Sequence, residues 1–173
     1  MERLVDYKYS ELISAGFDRL PPGIANRLRY THFFTGTDPV YAGLFDYDKT
    51  DDGRSYHNEW CVAYPYHLTK LPKRLRQTTV IMPEFDKRYP VMLLPMLIVH
   101  ELAHVLDGIL GFDYMAEPVT QYAETDRMEA FADAFVLWQN PGYRQYYDLI
   151  RTVDDRTSSL FRELEELWKV NIQ

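Results

Sequence analysis

The segment His100-Glu101-Leu102-Ala103-His104 sets two imidazoles four residues apart, with a carboxylate beside the first. On a helix of 3.6 residues per turn that spacing puts both rings on one face. Their nitrogens can converge there on a single metal ion, while Glu101 projects towards a water bound to it. This is the H-E-x-x-H pattern of zinc hydrolases, with His100 and His104 as ligands and Glu101 as general base. Neither a buried core nor a solvated face would select this arrangement. Two histidines do not complete the site, because catalytic zinc has three protein ligands and one open position.

The third ligand is sought downstream, in Arg127-Met-Glu129-Ala-Phe-Ala-Asp133-Ala-Phe135. Glu129 and Asp133 stand four apart on a helix otherwise built of alanine and phenylalanine, where a carboxylate needs a reason. A Glu129 facing Zn²⁺ would be neutralised by the ion, whereas an unpaired one is costly to bury. Asp133, one turn on, could accept a hydrogen bond from the free ring nitrogen of a ligating histidine and fix its tautomer. The bland readings are a helix-capping role for Glu129 together with Asp126, and a solvent-facing Asp133. Asp107, three residues after His104, is either a second support of the same kind or an ordinary helix-end residue.

The segments His100-Glu-Leu-Ala-His-Val-Leu-Asp107 and Glu129-Ala-Phe-Ala-Asp-Ala-Phe135 resemble the metal helix and the glutamate-bearing helix of the anthrax lethal factor catalytic domain and its relatives, the Pro-Pro endopeptidases. Leu20-Pro21 and Ala42-Gly43-Leu44-Phe45 are similar in a looser way, so the resemblance spans roughly residues 20 to 140. It implies a zincin-like fold, a gluzincin-type peptidase and one more catalytic residue. The family carries a tyrosine seven positions before its ligand glutamate, and that position is Tyr122 here. A phenol also makes chemical sense there, since attack on a peptide carbonyl creates an oxyanion that needs a hydrogen-bond donor. The interval from His104 to Glu129 is shorter than in well-known members, so their substrate preference is not carried over.

A second ion has one candidate loop. Asp48, Thr50, Asp52 and Glu59, with Gly53 between, match the spacing of a Ca²⁺-binding loop. The flanks read as strands and not as paired helices, and Asp51-Asp52-Gly53 explains itself equally as a hairpin turn. His32, His57 and His67 lie in aromatic, sheet-like sequence without ligand spacing, where a histidine is ordinarily packed or on the surface.

These groups need elements to hold them. Leu12, Ile13 and Phe17 predict a short amphipathic helix over Ser10 to Arg19, ended by Leu20-Pro21-Pro22-Gly23, and Pro22 can open a second. Thr31 to Met82 is rich in Tyr, Phe, Val and Thr and broken by Gly, Asp and Pro. It reads as a small sheet with hairpins, with strands at Tyr41 to Tyr47, Tyr56 to Tyr64 and Thr78 to Met82. Val91 to Leu110 is the metal-motif helix, apolar nearly all round, with Pro95 marking either its start or a kink. Gly108 and Gly111 mark its exit. Helices are then expected over Asp126 to Gln139, Tyr143 to Val153 and Thr157 to Val170.

The expected fold is therefore α+β and zincin-like, with a small mixed or antiparallel sheet packed on a central H-E-x-x-H helix and a mostly helical C-terminal half. It forms one metallopeptidase domain, with N-terminal helices over 1–30, the sheet over 31–89 and helices over 90–173. At 173 residues, 46% hydrophobic and 15% aromatic, a single packed domain is the natural reading. A net charge of −7 disfavours nucleic acid as partner and with it a DNA-associated protease, and the basic run Lys70 to Arg76 reads as a solvated loop. The lone Cys61 excludes an internal disulfide framework and a cysteine-based zinc site.

The N-terminus lacks the apolar core of a signal peptide, and the longest apolar stretch, Val91 to Val99, is about half of a membrane span. The default expectation is a cytoplasmic protein without membrane partners, although a toxin or phage factor exported by another route would look the same. The expected activity is zinc-dependent hydrolysis of a protein or peptide substrate. The competing expectation is an inactive zincin-fold module acting through protein–protein interaction, which would have no use for Glu101 or Tyr122. The sequence carries no signal for oligomeric state.

Overall fold

The computed structural model describes residues 7–35, 62–63, 78–82 and 93–169. Helix α1 (Tyr7–Phe17) starts earlier than its pattern predicts and ends before the Leu20-Pro21-Pro22 break. Helix α2 (Pro22–Leu28) begins with proline at its first position, where the missing N–H has no intrahelical partner to lose. Strands β1 (His32–Thr35), β2 (Val62–Ala63) and β3 (Thr79–Met82) form a sheet in the order β1-β3-β2.

The sheet is mixed. β1 runs parallel to β3, with His32 opposite Thr79 and Thr35 opposite Met82, while β2 is antiparallel to β3, with Val62 opposite Ile81. A parallel pair cannot be closed by a tight hairpin, so β1 reaches β3 by a longer connection. β1 was not among the expected strands: His-Phe-Phe-Thr is too short to show a period, and the parallel partner makes it a strand. Tyr41 to Tyr47 and most of Tyr56 to Tyr64 lie outside the described residues.

Helix α3 (Leu94–Ile109) carries the metal motif and is buried along most of its length, from Leu94 and Ile98 to Leu106 and Asp107. Pro95 sits in its first turn, so the helix starts there and is not kinked by it. At the other end Gly111 takes a left-handed φ of 80°, and Phe112 N–H returns to the Asp107 carbonyl at 3.0 Å. β2, β3, α1 and α2 all touch α3, and Gly16 is what lets α1 come close. A methyl group at that position would overlap the Ile98 side chain.

Helix α4 (Arg127–Gln139) is entered through Asp126, whose side chain accepts from Met128 N–H at 2.6 Å. Ala130 to Leu137 are all buried, and the most extensive helix packing of the described residues is α4 on α3. Helix α5 (Asp155–Lys169) closes the other side. Phe131 and Phe135 of α4 both meet its Phe161 edge-on, with ring centroids 5.4 and 5.1 Å apart. α5 also holds α2, because buried Glu165 accepts from Gly23 and Ile24 N–H at 3.0 and 3.3 Å.

The helix expected over Tyr143 to Val153 does not form. A 3₁₀ turn at Pro141–Tyr146 is followed by extended chain, where Thr120 and Leu149 make an antiparallel bridge. Gln121 N–H reaches the Asp148 carbonyl and Ile150 N–H the Val119 carbonyl, each at 3.0 Å. Asp148, Leu149 and Ile150 find strand-type partners in the 119–121 segment, and that tertiary pairing overrides the helical spacing. The fold is mixed α/β and mostly helical. No helix among the described residues is long and apolar enough to cross a membrane.

Candidate metal centre

His100 and His104 lie one turn apart on α3, their rings nearly perpendicular with centroids 4.8 Å apart. Across the seam, Glu129 in the first turn of α4 spans both. Its Oε2 is 3.0 Å from His100 Nε2 and its Oε1 is 3.6 Å from His104 Nε2. The ligand atoms of the three residues all lie within 4.8 Å of one another, so the group could hold a metal ion. Ligands at 2.0–2.1 Å from a tetrahedral zinc stand about 3.3 Å apart, close to the two distances seen. The Asp126 cap is real, but Asp126 makes it alone while Glu129 turns to the histidines.

Both imidazoles offer Nε2 to the centre, which leaves Nδ1 for support from behind. His100 Nδ1 stands 3.0 Å from Asp133 Oδ1. Asp133 is only 1% exposed, which sets aside a solvent-facing role. Its Oδ2 accepts from Thr120 Oγ1 at 2.5 Å, whereas Oδ1 has no aligned hydrogen bond despite the nearby ring nitrogen. A buried carboxylate oxygen left in this state is what the Nδ1–H of a ligating histidine would satisfy. Two imidazoles and one carboxylate, with this orphaned oxygen behind them, could together hold a metal ion.

The electrostatics agree. Burial works against the proton on His100, but Asp133 and Glu129, with Glu101 beyond them, outweigh it and hold the imidazolium well above its ordinary 6.5. Burial likewise opposes charge on Glu129, yet its bonds to His100 and His104 keep the carboxyl far below its ordinary 4.5. Three carboxylates facing two imidazoles make a cage that is short of positive charge.

Glu101, beside His100, is 5% exposed. Tyr122 opens a 3₁₀ turn, Tyr122–Thr125, and is 58% exposed. The backbone of that turn is tied to the centre, because Ala123 N–H donates to Thr120 Oγ1 at 3.0 Å and Thr120 in turn donates to Asp133. Thr125 Oγ1 closes the turn on the Tyr122 carbonyl at 2.6 Å.

Asp107, whose role the sequence left open, has a partner of another kind. It is fully buried, but both of its oxygens are taken by Arg127, so its carboxylate answers a guanidinium and not a ligating histidine. Burial pushes its carboxyl up, and Arg127 pulls it back only in part. Three residues escaped the sequence reading: Arg127, Thr120 and Tyr147. Arg127 left a trace, since a cation in the first turn of a helix opposes the dipole and so asks for an anion. Thr120 and Tyr147 left none, because neither stands at a helical interval from the site. Tyr147 is half-buried and reaches Asp133 once the 119–121 segment pairs with 148–150. Burial, then the charges of Asp133 and Glu129, push its phenol well above the ordinary value of 10.0.

The Ca²⁺-loop candidates Asp48, Thr50, Asp52 and Glu59 lie outside the described residues, as do His57 and His67, and His32 is half-buried on β1. No family model, curated protein or solved structure matches the chain.

Proposed function

We propose that the chain is a zinc-dependent endopeptidase of the gluzincin type, similar to the lethal factor-like metallopeptidases, acting on a protein or peptide substrate. One observation carries the reading: His100, His104 and Glu129 converge within 4.8 Å while Asp133 is buried behind His100. When bound, zinc makes water more acidic and polarises the carbonyl to be attacked. Glu101 accepts the proton that water gives up as its oxygen bonds to the carbonyl carbon. The same carboxyl then delivers that proton to the amide nitrogen as the C–N bond breaks, so the amine leaves neutral and Glu101 returns to carboxylate.

Tyr122 donates its phenolic hydrogen to the oxygen that gains charge during attack. Its exposed position suits a group that meets substrate and not the core. Asp133 holds His100 in the tautomer that presents Nε2, and Thr120 holds Asp133. A module that only binds other proteins has no use for a general base at Glu101 or an oxyanion donor at Tyr122.

The test is Glu101→Gln. Metal analysis of the purified variant should show zinc retained as in wild type, while cleavage of a proteome-derived peptide library falls by at least ~100-fold. Equal cleavage by variant and wild type, or a wild-type protein that holds no zinc, would sink the reading.

A further inference from the structure

Along the packing of α3 on α4, where Glu129 also reaches His100, polar partners follow one another in antiparallel order. His100 meets Asp133, His104 meets Glu129, and Asp107 meets Arg127. Each step towards the carboxyl end of α3 is a step towards the amino end of α4. The first two pairs belong to the proposed metal centre. The third is an ion pair that needs no metal, and it lies in the next turn after His104 and two residues before Glu129.

Arg127 does more than neutralise Asp107. Its Nη1 and Nη2 grip the two carboxylate oxygens, Nη1 at 3.2 Å from Oδ1, and Nη1 also donates to the Tyr114 carbonyl at 2.6 Å. The guanidinium lies over the Phe112 ring, 5.7 Å from its centroid. A single side chain thus fastens the last turn of α3, the loop that leaves it and the first turn of α4. As a source of stability this is a poor choice. The helix dipole opposes a cation there, and a buried ion pair gains little over apolar packing of the same volume.

As a device for position it is a good one. A planar guanidinium on both oxygens of a carboxylate fixes angle as well as distance. The buried alanines near it on α4, Ala130, Ala132 and Ala134, carry no group that could make a directional contact of that kind. A slip of α4 by one residue would move Glu129 about 1.5 Å along the axis, enough to spoil its reach to both histidines.

We infer that Arg127 is a positioning residue that, through Asp107, sets where Glu129 stands relative to His100 and His104 before any metal arrives. The inference rests on the metal-centre reading above. It assigns the Asp107–Arg127 pair a role in metal affinity although neither residue is a ligand.

The test uses the full chain as wild type, Arg127→Met, Arg127→Lys and the charge-neutral double variant Asp107→Asn/Arg127→Met. Zinc affinity is read by chelator competition, site geometry by the visible absorption of the cobalt-loaded protein, and folding by thermal unfolding without metal. Arg127→Met removes a positive charge near the centre, so charge alone would tighten zinc binding. A positional role requires the opposite, a loss of about 10- to 100-fold with altered cobalt bands. The double variant leaves no buried charge unpaired, protects against unfolding, and should show the same loss. Arg127→Lys keeps the charge without the fork and should fall in between.

Wild-type affinity and cobalt bands in the folded double variant, or in Arg127→Lys, would overturn the positioning role and leave the metal reading standing. A wild-type chain that binds neither zinc nor cobalt would overturn both.

Discussion

The α3–α4 seam has two polar ends that solve the same problem differently. At one end Asp107 is buried and the chain itself supplies its cation, Arg127, held to it by two hydrogen bonds. At the other, Glu129 and Asp133 face His100 and His104, whose charge is conditional on protons, and Asp133 keeps one oxygen without an aligned partner. The first end is complete as a folded structure. The second, on the reading proposed above, takes a cation from outside. A pair completed within the chain holds helices in place, while carboxylates facing imidazoles offer donor atoms that an ion could use.

That contrast can be broken most forcefully at the complete end. Asp107→Ala leaves the Arg127 guanidinium without its partner and should cost about 3–5 kcal/mol, read as a lower denaturation midpoint for the metal-free chain. A loss below ~1 kcal/mol would mean the pair is solvated and the two ends are alike. At the incomplete end, Asp133→Asn should lower the midpoint of the metal-free chain by less than Asp107→Ala does, and should weaken zinc by about 10- to 100-fold in chelator competition. Unchanged zinc affinity would remove Asp133 from the site.

The smallest expected effect is in pH. His100 holds its proton above the ordinary 6.5, so its contribution to metal-free stability is complete below that pH and is lost as pH rises through the raised value. Glu129, held below its ordinary 4.5, contributes above that pH and loses its effect only in strong acid. Metal-free protein should therefore be most stable between these two values. Zinc must displace the His100 proton, so the rise in melting temperature on adding zinc should grow as pH increases above 6.5. A zinc-induced rise that is flat across this range would show that His100 does not exchange a proton for metal.

Much of the site was readable because it lies on two helices. A helix fixes neighbours at three and four residues, so His100, Glu101 and His104, and then Glu129 and Asp133, announce themselves by interval alone. Asp107 stayed between two readings for the same reason. The interval placed it correctly on the face of His104, but the partner that claims it comes from another helix and its identity is not a matter of interval. Arg127 was in plain view at a helix start, and its conflict with the dipole was a usable clue. Thr120 and Tyr147 were beyond reach. They come to Asp133 through the pairing of 119–121 with 148–150, which the helical spacing of Tyr143 to Val153 actively concealed.

The fold divides the same way. Pro22 placed the start of α2 and Asp126 that of α4, because these residues act on their own backbone, while Pro95 left a start or a kink open until the structure made it a start. β1 and its parallel pairing with β3 could not be placed so, since a parallel partner lies far along the chain.

By itself, then, the sequence determined which side chains share a helix face: two imidazoles with a carboxylate, and two carboxylates on an apolar helix. Only the tertiary structure decided that these faces meet, that Asp133 stands behind His100, and that Asp107 belongs to Arg127. The physical reason is one of range. Helical geometry is set by bonds a few residues apart, whereas the pairing of two buried faces is set by packing across the whole chain.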